Sequence, residues 1–132
     1  MSSTNKEDYL GAIYRLMEEN KDVKSVDVAE YLNVSKPSVS EMLKSMDNDG
    51  FIRYKKYSKI KLTKKGFDSA RNMTTRHRII EAFLKEMLKI NQKMVHKEAH
   101  KLEHAFSNES IERIRKLLHN PKIDPHGKPI PM

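Results

Sequence analysis

Apolar residues recur at helical spacing along most of the chain, which predicts a largely α-helical protein. In the first helix, four apolar residues three or four apart share one face: Tyr9, Ile13, Leu16 and Met17. Two shorter patterns, at residues 25–32 and 35–46, are joined by a turn at Asn33-Val34. Ser35 suits the N-cap of the second pattern, and Pro37 suits its first turn. Two short helices joined by a tight turn predict a helix-turn-helix motif.

A different pattern follows directly after these helices. Residues 51–57 and 60–63 alternate between apolar and polar positions around Ser58-Lys59. Alternation of this kind predicts a two-stranded β-hairpin. A helix-turn-helix followed by such a hairpin is a winged helix, in which the hairpin forms the wing. Because the separate segments agree on one architecture, we predict a winged helix-turn-helix domain at residues 1–71.

Helical spacing returns after the wing, in three stretches at residues 63–88, 92–106 and 107–118. A short helical unit buries little area alone, so we expect its apolar stripes to pack against a second copy in a two-fold homodimer. From Pro121 onward the chain holds four Pro and one Gly, which predicts an extended tail. The predicted fold is therefore mainly α with a small β wing. A helical dimerisation domain at 72–120 follows the winged helix, and a Pro-rich tail occupies 121–132.

Positive charge is concentrated on the predicted wing. Residues 51–65 contain seven Lys or Arg and no acidic residue, whereas the remaining residues hold 19 basic and 18 acidic side chains. A local cationic patch is typical of a protein that binds a phosphate backbone. We therefore expect double-stranded DNA as the partner, the alternative being a basic hairpin without a nucleic-acid role.

Composition narrows the class of protein further. The chain has no Cys, which excludes a disulfide framework and thiolate metal ligands. It has no apolar run long enough to span a bilayer, and its start lacks the apolar core of a signal peptide. We therefore expect a cytoplasmic location and no membrane partner.

A stripe of histidines and carboxylates is the main candidate for chemistry. His96, His100 and His104 fall at intervals of four residues, and Glu103 lies beside them. His77 and Glu81 stand at i and i+4 on the preceding helix. Imidazole and carboxylate groups on one helical face suit a borderline divalent metal ion. The alternative is a solvated polar face, so spacing alone leaves the question open.

The same stretch also matches a catalytic signature. His100-Lys-Leu-Glu103-His104 has the H-x-x-E-H spacing of inverted zinc proteases. Such an enzyme needs a third protein ligand, an open zinc position and a substrate cleft. Only 28 residues follow His104, and they hold one short helical pattern and the Pro-rich segment. We therefore expect no enzymatic activity.

Several motifs together resemble one known family over essentially the whole chain. They are Glu7-Asp8-Tyr9-Leu10, Pro37-Ser38-Val39-Ser40, Leu62-Thr63-Lys-Lys-Gly66, Arg76-His77-Arg78, Leu102-Glu103-His104 and Gly127-Lys-Pro129-Ile130-Pro131. On these motifs the chain is similar to the diphtheria-toxin-repressor family of iron- and manganese-dependent transcriptional regulators. The resemblance implies a repressor of metal-ion homeostasis genes that Fe²⁺ or Mn²⁺ activates. A winged-helix regulator that responds to a small organic ligand is the alternative.

The resemblance also implies two metal sites. The primary site would use Asp8, His100, Glu103 and His104, and the ancillary site would use His77, Glu81 and His96. Where iron-sensing relatives place sulfur ligands this chain has Asp8 and His100, and where manganese-sensing relatives place a second carboxylate it has Gly11. The set suits Fe²⁺ or Mn²⁺, and Co²⁺, Ni²⁺ or Zn²⁺ can substitute in vitro. Larger relatives add an SH3-like domain that completes the ancillary site.

Contacts to a palindromic operator follow from the same resemblance. The start of the second helix-turn-helix helix would enter the major groove, and lysines of this helix and the wing would neutralise phosphates. The implied DNA-binding residues are Ser35, Lys36, Pro37, Ser38, Ser40, Lys44, Lys55, Lys56 and Lys59.

Overall fold

The computed structural model describes residues 2–19 and 22–131, and these form six helices and one small antiparallel sheet. In chain order the elements are α1 (Ser2–Glu19), α2 (Ser25–Leu32), α3 (Lys36–Asn48), β1 (Ile52–Arg53), β2 (Lys61–Leu62), α4 (Lys64–Glu86), α5 (Gln92–Leu102) and α6 (Asn108–Leu117). The predicted fold class is confirmed. Among the described residues, no helix is both long and apolar enough to cross a lipid bilayer.

The chain divides into two compact units, residues 1–71 and 72–132, with the boundary inside α4. The first unit packs α1, α2 and α3 around one apolar cluster. Its fully buried members include Ile13 from α1, Val28 from α2, and Leu43 and Met46 from α3. These residues follow the helical spacing of the sequence, so burial of the apolar stripes explains why the three helices pack together.

The turn of the helix-turn-helix and the start of α3 are fixed by local chemistry. Asn33 caps α2 in the left-handed conformation at φ 55°, which Asn tolerates better than most residues. The Ser38 N–H donates to Oγ of Ser35 at 3.3 Å, and Pro37 occupies the first turn, where no N–H is needed. Helix α3 therefore begins where the sequence predicts it.

The wing is shorter than the alternating pattern predicts. Only Ile52 pairs with Leu62 and Arg53 with Lys61, so each strand has two residues. The backbone N–H of Ile60 donates to the Val23 carbonyl at 2.7 Å and not to the opposite strand. The longer strands predicted at 51–57 and 60–63 were wrong, because the Ser58 N–H donates to the Lys55 carbonyl at 2.9 Å and Tyr57 has a φ of 67°, so a turn occupies residues 55–58.

The second unit is built around apolar residues of α4, α5 and α6. Ile79, Ile80 and Leu84 of α4 pack with Ala99 of α5 and Ile111 of α6. Several large apolar side chains of this unit remain between 44% and 54% exposed: Met87, Leu88, Met94 and Leu117.

The predicted extended tail is wrong in its conformation. Residues 122–130 turn back on themselves, with the Asp124 N–H donating to the Lys128 carbonyl and the Ile130 N–H to the Lys122 carbonyl, both at 2.8 Å. Gly127 allows the turn because its φ is +83°. Ile130 is then 5% exposed and joins the apolar cluster of the second unit. Burial of Ile130 and the hydrogen bonds that Oδ1 of Asp124 accepts from the N–H groups of His126 and Lys128 explain why the segment folds back.

Candidate metal centre and nucleic-acid interface

His100, Glu103 and His104 come together at the corner between α5 and α6. Nδ1 of His100 lies 3.0 Å from Oε1 of Glu103, and Nε2 of His104 lies 3.7 Å from the same oxygen. The Glu103 side chain is 5% exposed, whereas that of His100 is 51% exposed. Three of the four predicted primary ligands thus converge within the second unit, with a buried carboxylate and one accessible imidazole.

Helix α5 ends earlier than the sequence predicts. The pattern predicted a helix through Phe106, but α5 stops at Leu102. The N–H groups of Ala105 and Phe106 both donate to the Leu102 carbonyl, at 3.0 and 3.2 Å, so the chain leaves the helix in a tight turn. Glu103 keeps helical angles of φ −61° and ψ −29°, and this places its side chain beside those of the histidines.

The predicted ancillary residues also come together. Oε2 of Glu81 lies 3.3 Å from Nε2 of His77 and 3.3 Å from Nδ1 of His96. The side chains of His77 and Glu81 are 3% and 2% exposed, whereas that of His96 is 60% exposed. Ligand atoms of these three residues all lie within 4.8 Å of one another. His77 and Glu81 share one face of α4 because they are four residues apart, and the packing of α5 against α4 brings His96 beside them.

Two candidate ligands in the folded-back segment were missed by the sequence reasoning. Nδ1 of His126 lies 3.5 Å from Oε2 of Glu81, and Asp124 belongs to the same group of potential ligands. The carboxylate of Asp124 also lies 3.9 Å from Nε of the buried Arg78. The sequence feature that could have indicated them is the presence of a histidine and an aspartate among the prolines and the glycine of this segment. The prediction of an extended tail left these residues without a role.

His77 links the two groups of potential ligands. Its Nδ1 lies 2.8 Å from Oε2 of Glu103. Because a carboxylate oxygen only accepts hydrogen bonds, this contact places a proton on Nδ1 of His77. Nε2 of His77 lies 3.0 Å from Nδ1 of His96 and 3.3 Å from Oε2 of Glu81, so the ring bridges the two groups of candidate ligands.

Glu81 is held as an anion by its neighbours. Burial alone would raise its pKa, but hydrogen bonds from His77 and His96 outweigh burial and hold the pKa of Glu81 well below its ordinary range. A buried carboxylate of this kind favours a cationic partner. The donor set of imidazole nitrogens and carboxylate oxygens therefore fits Fe²⁺, Mn²⁺ or a similar divalent ion.

Asp8, the fourth predicted primary ligand, lies on α1 in the first unit and is partly buried. The predicted DNA-binding residues lie in the same unit. All of them are exposed except Ser40, which is partly buried. Within α3, Oγ of Ser35 donates to Oγ of Ser38 at 2.8 Å. The start of α3 thus presents a small polar surface suited to close approach to DNA.

Basic residues of the wing surround a pocket that also includes Asp22 and Tyr54. Nζ of Lys59 lies 3.5 Å from Oδ1 of Asp22, and Nζ of Lys56 lies 5.1 Å from the centre of the Tyr57 ring. Tyr57 itself is 80% exposed. Most of the wing charge is therefore available to phosphates, while that of Lys59 is partly neutralised within the protein.

A winged helix joined to a helical unit that gathers imidazoles around buried carboxylates defines a class, the metal-responsive regulators that bind DNA. The comparisons with known proteins narrow this class to one family. The family model for the iron-dependent repressor N-terminal DNA-binding domain matches residues 1–60, and that for the metal-binding and dimerisation domain matches residues 63–132. The chain belongs to the iron-dependent repressor family, and the predicted resemblance is confirmed.

Individual relatives agree with this assignment. The chain is 38% identical to a helix-turn-helix-type transcriptional regulator of Methanocaldococcus jannaschii, covering 86% of this chain and 91% of that one. It is 36% identical to the iron-dependent repressor IdeR of Mycobacterium tuberculosis, covering 93% of this chain and 54% of IdeR. A solved manganese-dependent transcriptional repressor in complex with manganese superimposes with a TM-score of 0.89 at 35% identity, covering 96% of this chain and 58% of that one. The chain therefore spans little more than half the length of the larger relatives.

Proposed function

We propose that this protein is a transcriptional repressor of metal-ion homeostasis genes that binds double-stranded DNA when it holds Fe²⁺ or Mn²⁺. The observation that carries the proposal is the pair of buried carboxylates, Glu81 and Glu103, each approached by imidazole nitrogens of two or more histidines. Such a buried anionic arrangement suits a divalent cation better than water. Membership of the iron-dependent repressor family supports the link to gene regulation.

The primary ion would be held by Asp8, His100, Glu103 and His104. Asp8 belongs to the winged-helix unit and the other three belong to the helical unit. When bound, the ion would supply positive charge that these carboxylate and imidazole ligands share. By linkage, metal and DNA then strengthen each other's binding equally, typically by about 1–3 kcal/mol.

The ancillary ion would be held by His77, Glu81 and His96, with Asp124 and His126 as further donors. Their convergence on Oε2 of Glu81 supports this assignment. Because a ligating histidine must be unprotonated, metal affinity at both sites should weaken as pH falls through the histidine range.

DNA binding would use the exposed start of α3 and the lysines of the wing on a palindromic operator. Two copies of the chain would present two such surfaces, at half-sites about 34–36 Å apart or a multiple of that spacing. The exposed apolar residues Met87, Leu88, Met94 and Leu117 supply a surface for the homodimer. The family model that matches residues 63–132 describes a dimerisation domain, which supports the same assignment.

The test is a fluorescence anisotropy titration of operator DNA with Mn²⁺, with anaerobic Fe²⁺ and with EDTA. Metal should tighten DNA binding, and His104→Ala should abolish that gain while leaving weak, salt-sensitive binding. His119→Asn is the matched control, since His119 is exposed and has a positive φ that Asn adopts readily. If His104→Ala keeps the full metal response, the primary site is assigned wrongly. If EDTA leaves wild-type affinity unchanged, a small organic effector is the better explanation.

A further inference from the structure

Arg76 is a buried arginine one residue before His77 on α4, and its side chain reaches the corner between α5 and α6. Its exposed fraction is 7%. Nε and Nη2 donate to the Glu103 carbonyl at 3.1 and 2.8 Å, and Nη1 donates to Oδ1 of Asn108 at 2.8 Å. Nη2 also donates to the Phe106 carbonyl. The guanidinium group therefore binds three points of the segment between residues 103 and 108.

The position of this segment explains why an arginine is useful there. Helix α5 ends at Leu102, so the carbonyl groups that follow it, including that of Glu103, lie beyond the hydrogen-bond ladder of the helix. A cation near a helix C-terminus is also favoured by the helix dipole. The planar fork of a guanidinium group can bind several acceptors at once in a fixed geometry, which a single ammonium group cannot do.

Glu103 is consequently held at two places by adjacent residues of α4. Arg76 binds its backbone carbonyl, and Nδ1 of His77 lies 2.8 Å from its carboxylate Oε2. The other carboxylate oxygen, Oε1, faces His100 and His104. The backbone and one oxygen are thus fixed, while the remaining oxygen is directed towards the other candidate ligands.

We propose that Arg76 is a positioning residue for the primary metal centre, setting its affinity through the placement of Glu103 and His104 without ligating the ion. This inference rests on the proposed function, since it assumes that Glu103 and His104 bind metal. A guanidinium group stays protonated and has no lone pair for a metal, so Arg76 acts only through the residues it holds. Loss of a group that orients a ligand typically lowers metal affinity by about 10- to 100-fold.

The charge of Arg76 acts in the opposite direction, and this makes the proposal testable. A positive charge near a bound cation repels it, so a purely electrostatic role predicts tighter metal binding when the charge is removed. Arg76→Gln removes both the charge and the fork. Arg76→Lys keeps the charge and loses the fork. Positioning predicts weaker binding in both variants, whereas electrostatics predicts tighter binding in the first and no change in the second.

The experiment is isothermal titration of the full chain with Mn²⁺, together with absorption spectra of the Co²⁺ form. Binding at the primary site is measured in a His96→Ala background, which removes a ligand of the ancillary site. Binding at the ancillary site is measured in a His104→Ala background, which removes a ligand of the primary site. Arg76→Gln should weaken primary binding by about 10- to 100-fold and leave ancillary binding at its starting affinity. The Co²⁺ spectrum of the primary site should change, since d–d bands report the geometry of the ligands.

Two further variants keep the result interpretable. Arg115→Gln is the matched control, because Arg115 is also buried but donates to the Pro131 carbonyl and pairs with Glu112. It should leave primary affinity and the Co²⁺ spectrum unchanged. Asn108→Ala removes one acceptor of Arg76 and keeps the arginine, so it should weaken primary binding in the same direction by a smaller factor.

The outcomes separate this inference from the proposed function. If wild type binds metal tightly at the primary site and both Arg76→Gln and Asn108→Ala keep that affinity, the role of Arg76 is overturned and the proposed function still stands. Tighter binding in Arg76→Gln would overturn it in favour of electrostatics. Equal weakening at both sites would show a general loss of structure and would also overturn it. If wild type binds no metal at the primary site, the proposed function fails and the inference fails with it.

Discussion

The salt dependence of DNA binding should report which wing lysines meet phosphates. Lys55 is exposed on the wing, and Lys55→Ala removes one positive charge from each copy of the chain. Each phosphate contact contributes about 0.9 to the slope of log affinity against log salt concentration. If a homodimer binds the operator, two contacts are lost and the slope should fall by about 1.8. Between about 50 and 200 mM salt, that difference corresponds to about a tenfold change in the ratio of variant to wild-type affinity.

Lys59 should behave differently because it already has an anionic partner. Its Nζ lies 3.5 Å from Oδ1 of Asp22 in the free protein, so part of its charge is neutralised before DNA arrives. Lys59→Ala should therefore lower the slope less than Lys55→Ala does. Asp22→Asn should act in the opposite sense and steepen the slope, because it frees Lys59 and removes a charge that repels phosphate.

The assay is fluorescence anisotropy of operator DNA at several salt concentrations with saturating Mn²⁺. Lys97→Ala is the matched control, since Lys97 is also exposed but lies on α5 of the second unit. Its slope should equal that of wild type. An unchanged slope in Lys55→Ala would refute the placement of the wing on the phosphate backbone. A fall of about 0.9 would indicate that one copy of the wing binds at a time.

Two predictions concern stability. Gly66→Ala should destabilise the first unit by at least about 2 kcal/mol in chemical unfolding, because a Cβ there would lie 1.8 Å from the Phe51 carbonyl oxygen. Gly11→Ala is the contrast, since its nearest new neighbour is the flexible Arg15 side chain at 3.8 Å, and it should stabilise α1. In metal-free protein, the pKa of Glu81 is lower in the folded state than in the unfolded chain, where it is about 4.3. Below that pH the unfolded chain therefore binds more protons than the folded protein. The contribution of Glu81 to the free energy of unfolding is complete above about pH 4.3 and is lost as the pH falls through the folded pKa. Denaturant titrations of Glu81→Gln should therefore show a shallower loss of stability below about pH 4.3 than wild type shows, and equal slopes would contradict this assignment.

The sequence predicted the helices well because their signal is local. The apolar stripe that includes Ile13 and the one that includes Leu43 follow helical spacing, and both residues are fully buried. Ser35 and Pro37 mark the start of α3 through chemistry that involves only neighbouring residues. Where burial and capping depend on residues three or four apart, the printed sequence contains the information that determines the element.

Contacts between residues far apart in the chain were not predicted. The Ile60 N–H donates to the Val23 carbonyl, 37 positions earlier, and no alternation within the wing reveals that contact. His126 reaches Glu81 because the folded-back segment packs on the second unit, where Ile130 is buried and Asp124 lies 3.9 Å from Arg78 of α4. Proline and glycine predicted an extended tail there, and the contacts of Ile130 and Asp124 that fold the segment back are not visible in its local pattern.

The donor sets place a limit on how this protein selects its metal. With no Cys in the chain, the clusters around Glu81 and Glu103 offer imidazole and carboxylate groups. Sites of this kind generally bind Zn²⁺ and Cu²⁺ more tightly than Mn²⁺ or Fe²⁺, following the Irving–Williams order. Affinity alone therefore does not favour manganese or iron, so the response must depend on the free concentration of each ion and on the coordination number that the site accepts. The folded-back segment bears on the second factor, because Asp124 and His126 form a second group of potential ligands that shares Glu81 with the proposed ancillary site. If they joined His77 and His96 on one ion, the site would have the higher coordination that Mn²⁺ and Fe²⁺ accept and Zn²⁺ accepts less readily.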